Sequence, residues 1–371
     1  EGEPAATFGV GADGFAGFAP RIPVDQGRDA YAVYADLELQ PIPELFLGGA
    51  VRYDDYDDFG GKTTWRGTAR IDLIDGFALR GTIGTGFKAP SLQQQYFSAV
   101  QGALSAGNLV SVATLPVDDT IAAALGAVAL KPETSRNYTA GIVLTPTKNL
   151  NVSVDWFKIR IKDRIVLTEQ LRGGAVDAIL SAAGVTGFSQ VRFFSNAVDT
   201  TTEGVEITVN WSAKLATDTR LSVNAGFAMF DTDLDELRAN PVLPSFPLLG
   251  VKSILFLTKA QPKDKFTLQA RLDKGPFEVL GAVTAFGSYT SQPIVAVQEF
   301  DGGTSVDLAV AYGFGPFKLQ AGVQNLLDDF PEAIEDQVNF IGATGGSFPT
   351  GEETPLGLNG RTYFLRASAT F

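Results

Sequence analysis

The 371-residue sequence contains no cysteine and no histidine, one methionine, and no apolar run long enough to cross a membrane as a helix. Each absence excludes something. Without cysteine there is no disulfide framework and no thiolate metal site. Without histidine no Ser-His-Asp hydrolase can be assembled, and no imidazole base or ligand exists for a protease, a lipase or a zinc centre. Any metal would have to be a hard cation held by carboxylate and carbonyl oxygens. The 29 basic residues are outnumbered by 42 acidic ones, and the net charge of -13 leaves no basic face for nucleic acid. A membrane helix needs roughly 20 largely apolar residues. The longest charge-free run, Ala89 to Val117, is interrupted by Pro90, Gln93, Gln94, Gln95, Asn108 and Pro116. The apolar stretch Thr120 to Leu130 is about half a span and reads as a short loop helix. Glu1 opens the chain without a secretory leader, as in a mature, trimmed or partial polypeptide.

What is present is alternation. Hydrophobic residues make up 45% of the chain and aromatics 11%, yet the mean hydropathy is only +0.09. That balance suits a protein apolar on one surface and polar on the other. Val205, Ile207, Val209 and Trp211 alternate with Glu206, Thr208 and Asn210, and Val306, Leu308, Val310 and Tyr312 alternate with Ser305, Asp307, Ala309 and Ala311. Leu221 to Met229 and Leu150 to Trp156 repeat the pattern, over the 9–11 residues that a tilted strand needs to cross a bilayer. Connections alternate too. Short ones at Pro41–Glu44, Asp75–Gly76, Pro146–Asn149, Lys214–Asp218, Asp273–Pro276 and Phe314–Pro316 are separated by mostly long ones, with Phe59–Gly61 the exception. Short periplasmic turns and long extracellular loops are the outer-membrane pattern.

This spacing predicts thirteen strands, near 30–40, 45–56, 63–74, 77–87, 136–145, 150–161, 202–213, 219–230, 265–273, 277–288, 304–313, 316–325 and 361–371. The expected fold class is all-β, a transmembrane antiparallel β-barrel, with residues 1–29 a loop or partial strand before the barrel segment 30–371. Ser253–Leu257 is placed inside a loop, as one arm of a short hairpin. Thirteen is an odd number, whereas single-chain bacterial barrels have an even one. First and last strands would both run inward, so the segment is expected to be part of a larger barrel.

Four stretches resemble TonB-dependent receptors of the Gram-negative outer membrane. They are Arg80-Gly-Thr-Ile-Gly-Thr-Gly-Phe-Lys-Ala-Pro-Ser-Leu92, with Lys88 where the family usually has Arg; Leu130-Lys-Pro-Glu-Thr-Ser135; Phe194-Ser-Asn196 followed by Gly204-Val-Glu206; and Val323-Gln-Asn-Leu-Leu-Asp328 with Gly360-Arg-Thr-Tyr-Phe-Leu-Arg-Ala-Ser-Ala-Thr-Phe371. None is specific alone; their joint occurrence in the family's order is. The resemblance implies a 22-stranded barrel of which this chain holds the C-terminal thirteen strands. It also implies a plug domain and further strands that this sequence does not contain, and a TonB complex engaged through that plug. The implied activity is active import of a scarce nutrient, a ferric siderophore, cobalamin or an oligosaccharide. Outer-membrane lipid and lipopolysaccharide would surround the barrel. A passive porin or fatty-acid-type channel, and a surface-exposed adhesive β-protein, are the alternatives. No catalytic, cofactor or metal-binding residue is expected.

Candidate substrate contacts are the acidic cluster Asp54, Asp55, Asp57 and Asp58 at the outer end of the second strand, and the loop aromatics Tyr96, Phe97, Phe193 and Phe194. A solvated strand end and loop packing are their plainer alternatives. Trp65, Trp156 and Trp211 are expected on the lipid-facing surface, and Gly173-Gly174 and the Gly342–Ser347 cluster to be loop punctuation. Tyr363, Leu365 and the terminal Phe371 share one face of the last strand and resemble the signal by which outer-membrane barrels are recognised for insertion.

Overall fold

A computed structural model describes residues 25–370 apart from 106–107, 186–187, 337, 339, 341–348 and 352. Residues 1–24, the glycine cluster at 342–347 and Phe371 therefore lie outside the described residues. In chain order the strands and helices are β1 (Ala30–Ile42), β2 (Leu45–Tyr56), β3 (Gly60–Ile74), β4 (Phe77–Lys88), α1 (Leu92–Tyr96), β5 (Ala99–Ser105), β6 (Asn108–Thr114), α2 (Thr120–Ala124), β7 (Glu133–Thr147), β8 (Leu150–Leu167), α3 (Gly174–Ala182), β9 (Gln190–Arg192), β10 (Phe194–Ala216) and β11 (Thr219–Leu237). They continue as α4 (Val251–Thr258), β12 (Asp264–Lys274), β13 (Phe277–Phe286), β14 (Tyr289–Ser291), β15 (Gln298–Phe300), β16 (Thr304–Phe314), β17 (Phe317–Gln324) and β18 (Thr362–Ala369).

Thirteen of these strands form one sheet in the order β1-β2-β3-β4-β7-β8-β10-β11-β12-β13-β16-β17-β18, each overlapping one of the thirteen segments that alternation picks out. Neighbours pair antiparallel throughout. At one end the connections shrink to two residues, at 43–44, 75–76, 148–149, 217–218, 275–276 and 315–316. The other end carries the long loops, the turn at 57–59 being the short exception.

Directly paired residues share a face, so the register assigns every side chain to one side. Trp156 pairs with Val205 and Val205 with Met229; on the same face follow Leu268, Val283, Val306, Val323 and Tyr363. Asp155 pairs with Glu206, and the opposite face continues through Asn210, Asn224, Gln269 and Asp307. The apolar face is bare: Val33, Leu37, Val51, Trp65, Leu79, Ile142, Val279, Val310, Leu319 and Leu365 are all exposed. Val205, Ile207 and Val209 are half-exposed and face no closed core. All three tryptophans lie on this face, as expected. Near the short turns it is edged by Phe277, Tyr312, Phe314 and Phe317, whose rings meet at 4.8, 6.0 and 5.7 Å. A belt of exposed aromatics bordering an apolar band is the interfacial girdle of a membrane barrel, and between neighbouring strands the backbone groups are paired, leaving only the edges β1 and β18 open.

The structure departs from the sequence reading above the band. β8, β10 and β11 run for 18, 23 and 19 residues, well past what a bilayer requires. Their outer ends, such as Asp199 and Thr200, lack apolar alternation and read as loop, but backbone pairing continues there. The hairpin β5–β6 and its parallel neighbour β9 form a separate three-stranded sheet inside the loops. The helix expected at Thr120–Leu130 is confined to α2, started by the Asp119 carboxylate, which accepts from the amides of Ile121 and Ala122. Ser253–Leu257 lies in a loop, as expected, but as the helix α4 rather than a hairpin arm. A short apolar run fits either element by periodicity, and the Glu169 carboxylate, accepting from the Gly250 amide and the Ser253 hydroxyl, decides for the helix.

Candidate functional site

The motif residues converge on the outer rim, where loops leave the strands. Glu133 is buried; its carboxylate accepts from the Ile165 amide at 3.1 Å and from Lys88 Nζ at 3.2 Å, which joins β4, β7 and β8. Asn196 accepts from the Lys131 amide at 2.8 Å and donates to the carbonyls of Lys131 and Asp163, at 2.9 and 2.6 Å. Arg238 donates to the Asn196 carbonyl at 3.1 Å and to Asp199 Oδ1 at 2.7 Å. The Val323–Asp328 motif ties off the last long loop. The Asn325 side chain brackets Asp329, donating to its carbonyl at 2.7 Å and accepting from its amide at 3.1 Å, and Asp328 accepts from the Arg361 amide at 2.7 Å. Gly204 lies on the polar face of β10, paired with Phe157 of β8 and Phe230 of β11. A Cβ there would meet the Met229 carbonyl, the Phe157 ring and Phe230 Cβ within 2.8 Å. These residues anchor loops to strands rather than offer themselves to a solute.

The anchored loops pack into a body of their own. Leu115, Ile121, Leu125, Leu171, Val176, Leu180, Val191 and Phe193 form its main apolar cluster. Asn240, with no exposed surface, locks the segment after β11 onto it. It donates to the Leu125 carbonyl at 2.8 Å, and its Oδ1 accepts from the amides of Val242 and Leu243, each at 2.9 Å. A second cluster joins Ala197 and Val198 to Leu248 and Leu249, and a third stacks Tyr289 on Phe300 at 5.2 Å beside Ile334.

Below this body the polar face is a charged wall. Arg80 donates to Asp155 Oδ1 at 2.8 Å across β7 and Arg70 to Asp72 at 2.7 Å; both arginines line a groove of ≈ 780 Å³ with Phe46, Thr82, Phe157 and Glu206. Further round, Glu278 takes Arg271 at 2.7 Å and Lys318 at 2.8 Å. Glu206 is on this face by alternation along its strand; the Arg80–Asp155 pair is not readable that way, because its members stand 75 residues apart.

The sequence-derived candidates fall into two places. Asp54 is buried on the polar face with Arg52, whose Nη2 donates at 2.7 Å; Asp55, on the opposite face, accepts from the Tyr53 hydroxyl at 3.2 Å. In the turn between β2 and β3, Asp57 accepts from the Asp29 amide at 3.2 Å, and Asp58 from Arg28 Nε and Gln95 Nε2, each at 3.0 Å. Burial raises the affinity of Asp58 for a proton, but the hydrogen bonds from Gln95 and Arg28 outweigh it and hold the carboxyl below its ordinary pKa. Arg28 also lies over the rings of Tyr56 and Phe59, at 5.6 and 5.3 Å, and donates to the Pro90 carbonyl at 2.7 Å. The acidic turn is thus clamped to the loop bearing Tyr96, which is half-buried, and Phe97, which is exposed. Phe193 and Phe194 belong to the loop body instead. Phe193 is wholly enclosed and presents no surface to a solute, and Phe194 is half-buried at the start of β10. The Arg28 clamp was missed, since nothing local places Arg28 beside a residue thirty positions on. Tyr363 and Leu365 lie exposed on the outward apolar face.

A 13-stranded antiparallel sheet with an apolar exterior, a charged interior and packed loops at one end can be compared with known proteins. A ferric enterobactin receptor mutant from Pseudomonas aeruginosa, in complex with enterobactin, matches all of this chain and 50% of its own, at 18% identity and a TM-score of 0.63. The siderophore receptor PirA from Acinetobacter baumannii matches 93% of this chain and 46% of its own, at 18% identity and a TM-score of 0.61. The FpvAI chain of a complex with pyocin S2 matches 82% and 36%, at 17% identity and a TM-score of 0.52. The chain spans about half the length of the structures it matches, and at such identities they show the fold. The family model described as TonB dependent receptor-like, beta-barrel matches residues 4–326. With that match across most of the sequence, the chain belongs to the TonB-dependent receptor family, within its β-barrel domain.

Proposed function

We propose that this chain forms the C-terminal part of an outer-membrane receptor that imports a ferric siderophore, powered from the inner membrane through TonB, and that it catalyses no reaction itself. The observation that carries the reading is the pairing of a bare apolar exterior with a packed loop body above a charged inner wall. A sheet exposing that much apolar surface belongs in lipid. The loops, tied down by Glu133, Asn196 and Asn240, make a rigid mouth in which the Asp57–Asp58 turn, Tyr96 and Phe97 are the candidate contacts. The siderophore class is supported by what the structural neighbours are named for; cobalamin and oligosaccharides are the competing cargoes. Further strands and a plug domain complete the reading. An odd number of antiparallel strands gives β1 and β18 the same direction, and no pairing joins them among the described residues. Bare strand edges in hydrocarbon cost several kcal/mol per unpaired group.

Uptake by the full-length protein tests this, measured in cells with and without TonB against ferric siderophores, cobalamin and an oligosaccharide panel. TonB-dependent accumulation of a ferric siderophore is the expected result, with Phe97→Ala lowering it several-fold. Entry of small solutes at the same rate without TonB would show a passive channel and overturn the proposal.

A further inference from the structure

The helix α1 is a single turn without a core of its own. It runs for five residues, none of them buried, and only its start is satisfied locally, by the capping box of Ser91 and Gln94. One hydrogen-bonded turn is not stable in isolation, so contacts from outside must set its place. Two polar ones do. Gln95 Nε2 donates to Asp58 Oδ2 at 3.0 Å, and Arg28 Nη2 donates to the Pro90 carbonyl at 2.7 Å, one residue before the cap. Arg28 joins both ends of this arrangement, since its Nε also donates to Asp58 Oδ2, at 3.0 Å. Its side chain is only 15% exposed. The guanidinium lies over Tyr56 and Phe59, which stack at 4.4 Å, and Tyr56 meets Phe87 of β4 edge-on at 6.0 Å. Beyond the joint the chain is less well satisfied. Phe97 closes the helix and is exposed, whereas Ser98 is buried and its hydroxyl has no hydrogen-bond partner among the described residues. A buried hydroxyl left unpaired is unfavourable, so this stretch is held in place by its neighbours rather than by its own contacts.

We propose that Arg28 is a positioning residue for substrate binding. Through Asp58, Gln95 and the Pro90 carbonyl it fixes α1, and with it Phe97 at the mouth, while touching no substrate itself. This assignment rests on the receptor reading above. Within that reading it gives Asp58 to the joint, since Arg28 and Gln95 take up its carboxylate. Charge-assisted hydrogen bonds from a planar guanidinium are directional, which suits them to hold a segment that has no apolar anchor. A binding group needs such support to stay within about 0.5 Å of its productive place. The other candidate aromatic pair has no need of it, because Phe193 is enclosed in the loop body.

Equilibrium binding to the full-length protein in detergent tests this, with ferric enterobactin, a ferric trihydroxamate, cyanocobalamin and maltoheptaose as probes. For a probe that binds, Arg28→Gln should raise the dissociation constant about tenfold, the scale of one hydrogen bond to a charged group. The amount bound at saturation should not fall. Arg28→Lys should recover most of the loss. In a Phe97→Ala background Arg28→Gln should cost about twofold or less, because a residue acting through another loses its effect when that other is gone. Hydrogen exchange should rise in residues 91–97 and stay unchanged in 120–127. If Arg28→Gln does not fold, Gln95→Ala breaks one arm of the joint and serves in the same comparison. An unchanged dissociation constant, a tenfold loss that persists in the Phe97→Ala background, or reduced capacity at an unchanged constant would each overturn the assignment alone. Binding of no probe by the unaltered protein would overturn the receptor reading, and the role of Arg28 with it.

Discussion

Asn240 holds two loops together with one amide side chain, and its replacement isolates what that costs. Asn240→Ala leaves the Leu125 carbonyl and the amides of Val242 and Leu243 without their partner inside a packed cluster. An orphaned buried polar group costs about 1–3 kcal/mol. Hydrogen exchange should rise selectively in residues 120–127 and 240–246, with strand amides such as those of β10 unaffected; uniform protection across both loops would contradict the assignment. Gly126 belongs to the same joint. Its φ of +100° and the Asn240 side chain lying where a Cβ would be make Gly126→Ala a disruptive change as well. Asp58 gives a pH-dependent counterpart. Its folded-state pKa is depressed, so the stability it contributes is fully present above the ordinary carboxylate value of about 3.9 and is lost as pH falls through the lower folded value. Protection of the turn at 57–59 and of α1 should decline over that acid window, and Asp58→Asn should lose protection at neutral pH and flatten the dependence. The ion pairs of the inner wall are more exposed and contribute little individually.

At the scale of the strand, the two faces predict opposite tolerances. Ile207 and Thr208 are neighbours on β10, yet register pairs Ile207 with Val154 and Phe227, and Thr208 with Ser153 and Gly226. An arginine on the lipid face near the bilayer midplane costs about 2–4 kcal/mol. Ile207→Arg should lower the unfolding free energy of the full-length protein in vesicles by an amount in that range, and Thr208→Arg should leave it nearly unchanged. Equal losses would mean that both faces are buried in protein. The strand cores were legible in the sequence because a half-lipid, half-aqueous environment imposes a period of two residues. Their outer ends were not, because above the bilayer nothing demands an apolar residue at alternate positions; Asp199, Thr200 and Thr201 are held by backbone pairing and by polar side-chain contacts with Arg238, Arg164 and Asp235. The short strand β9 and the helix α3 escaped for the same reason: each is fixed by contacts within the loop body rather than by a pattern along the chain.

For the molecule as a whole, two-residue turns at one end and packed loops at the other give the sheet a direction across the membrane. An epitope tag inserted between Gly173 and Gly174, exposed just before and at the start of α3, should be reached by antibody on intact cells, and one in the turn at 217–218 only after the outer membrane is opened. The reverse result would invert the topology.

The sequence by itself determined the thirteen strands of the main sheet, the two faces of their membrane-spanning cores and the family, since alternation is local and the bilayer enforces it along each of those cores. It also supplied the motif residues, but not their work. That Glu133 joins Lys88 to β8, that Asn196 binds the Lys131 and Asp163 segments, and that Phe193 is enclosed while Phe97 is open were decided by the tertiary structure. The polar contacts among these join residues from 32 to 65 positions apart in the chain. No periodicity spans such distances; strand register and loop packing bring them together.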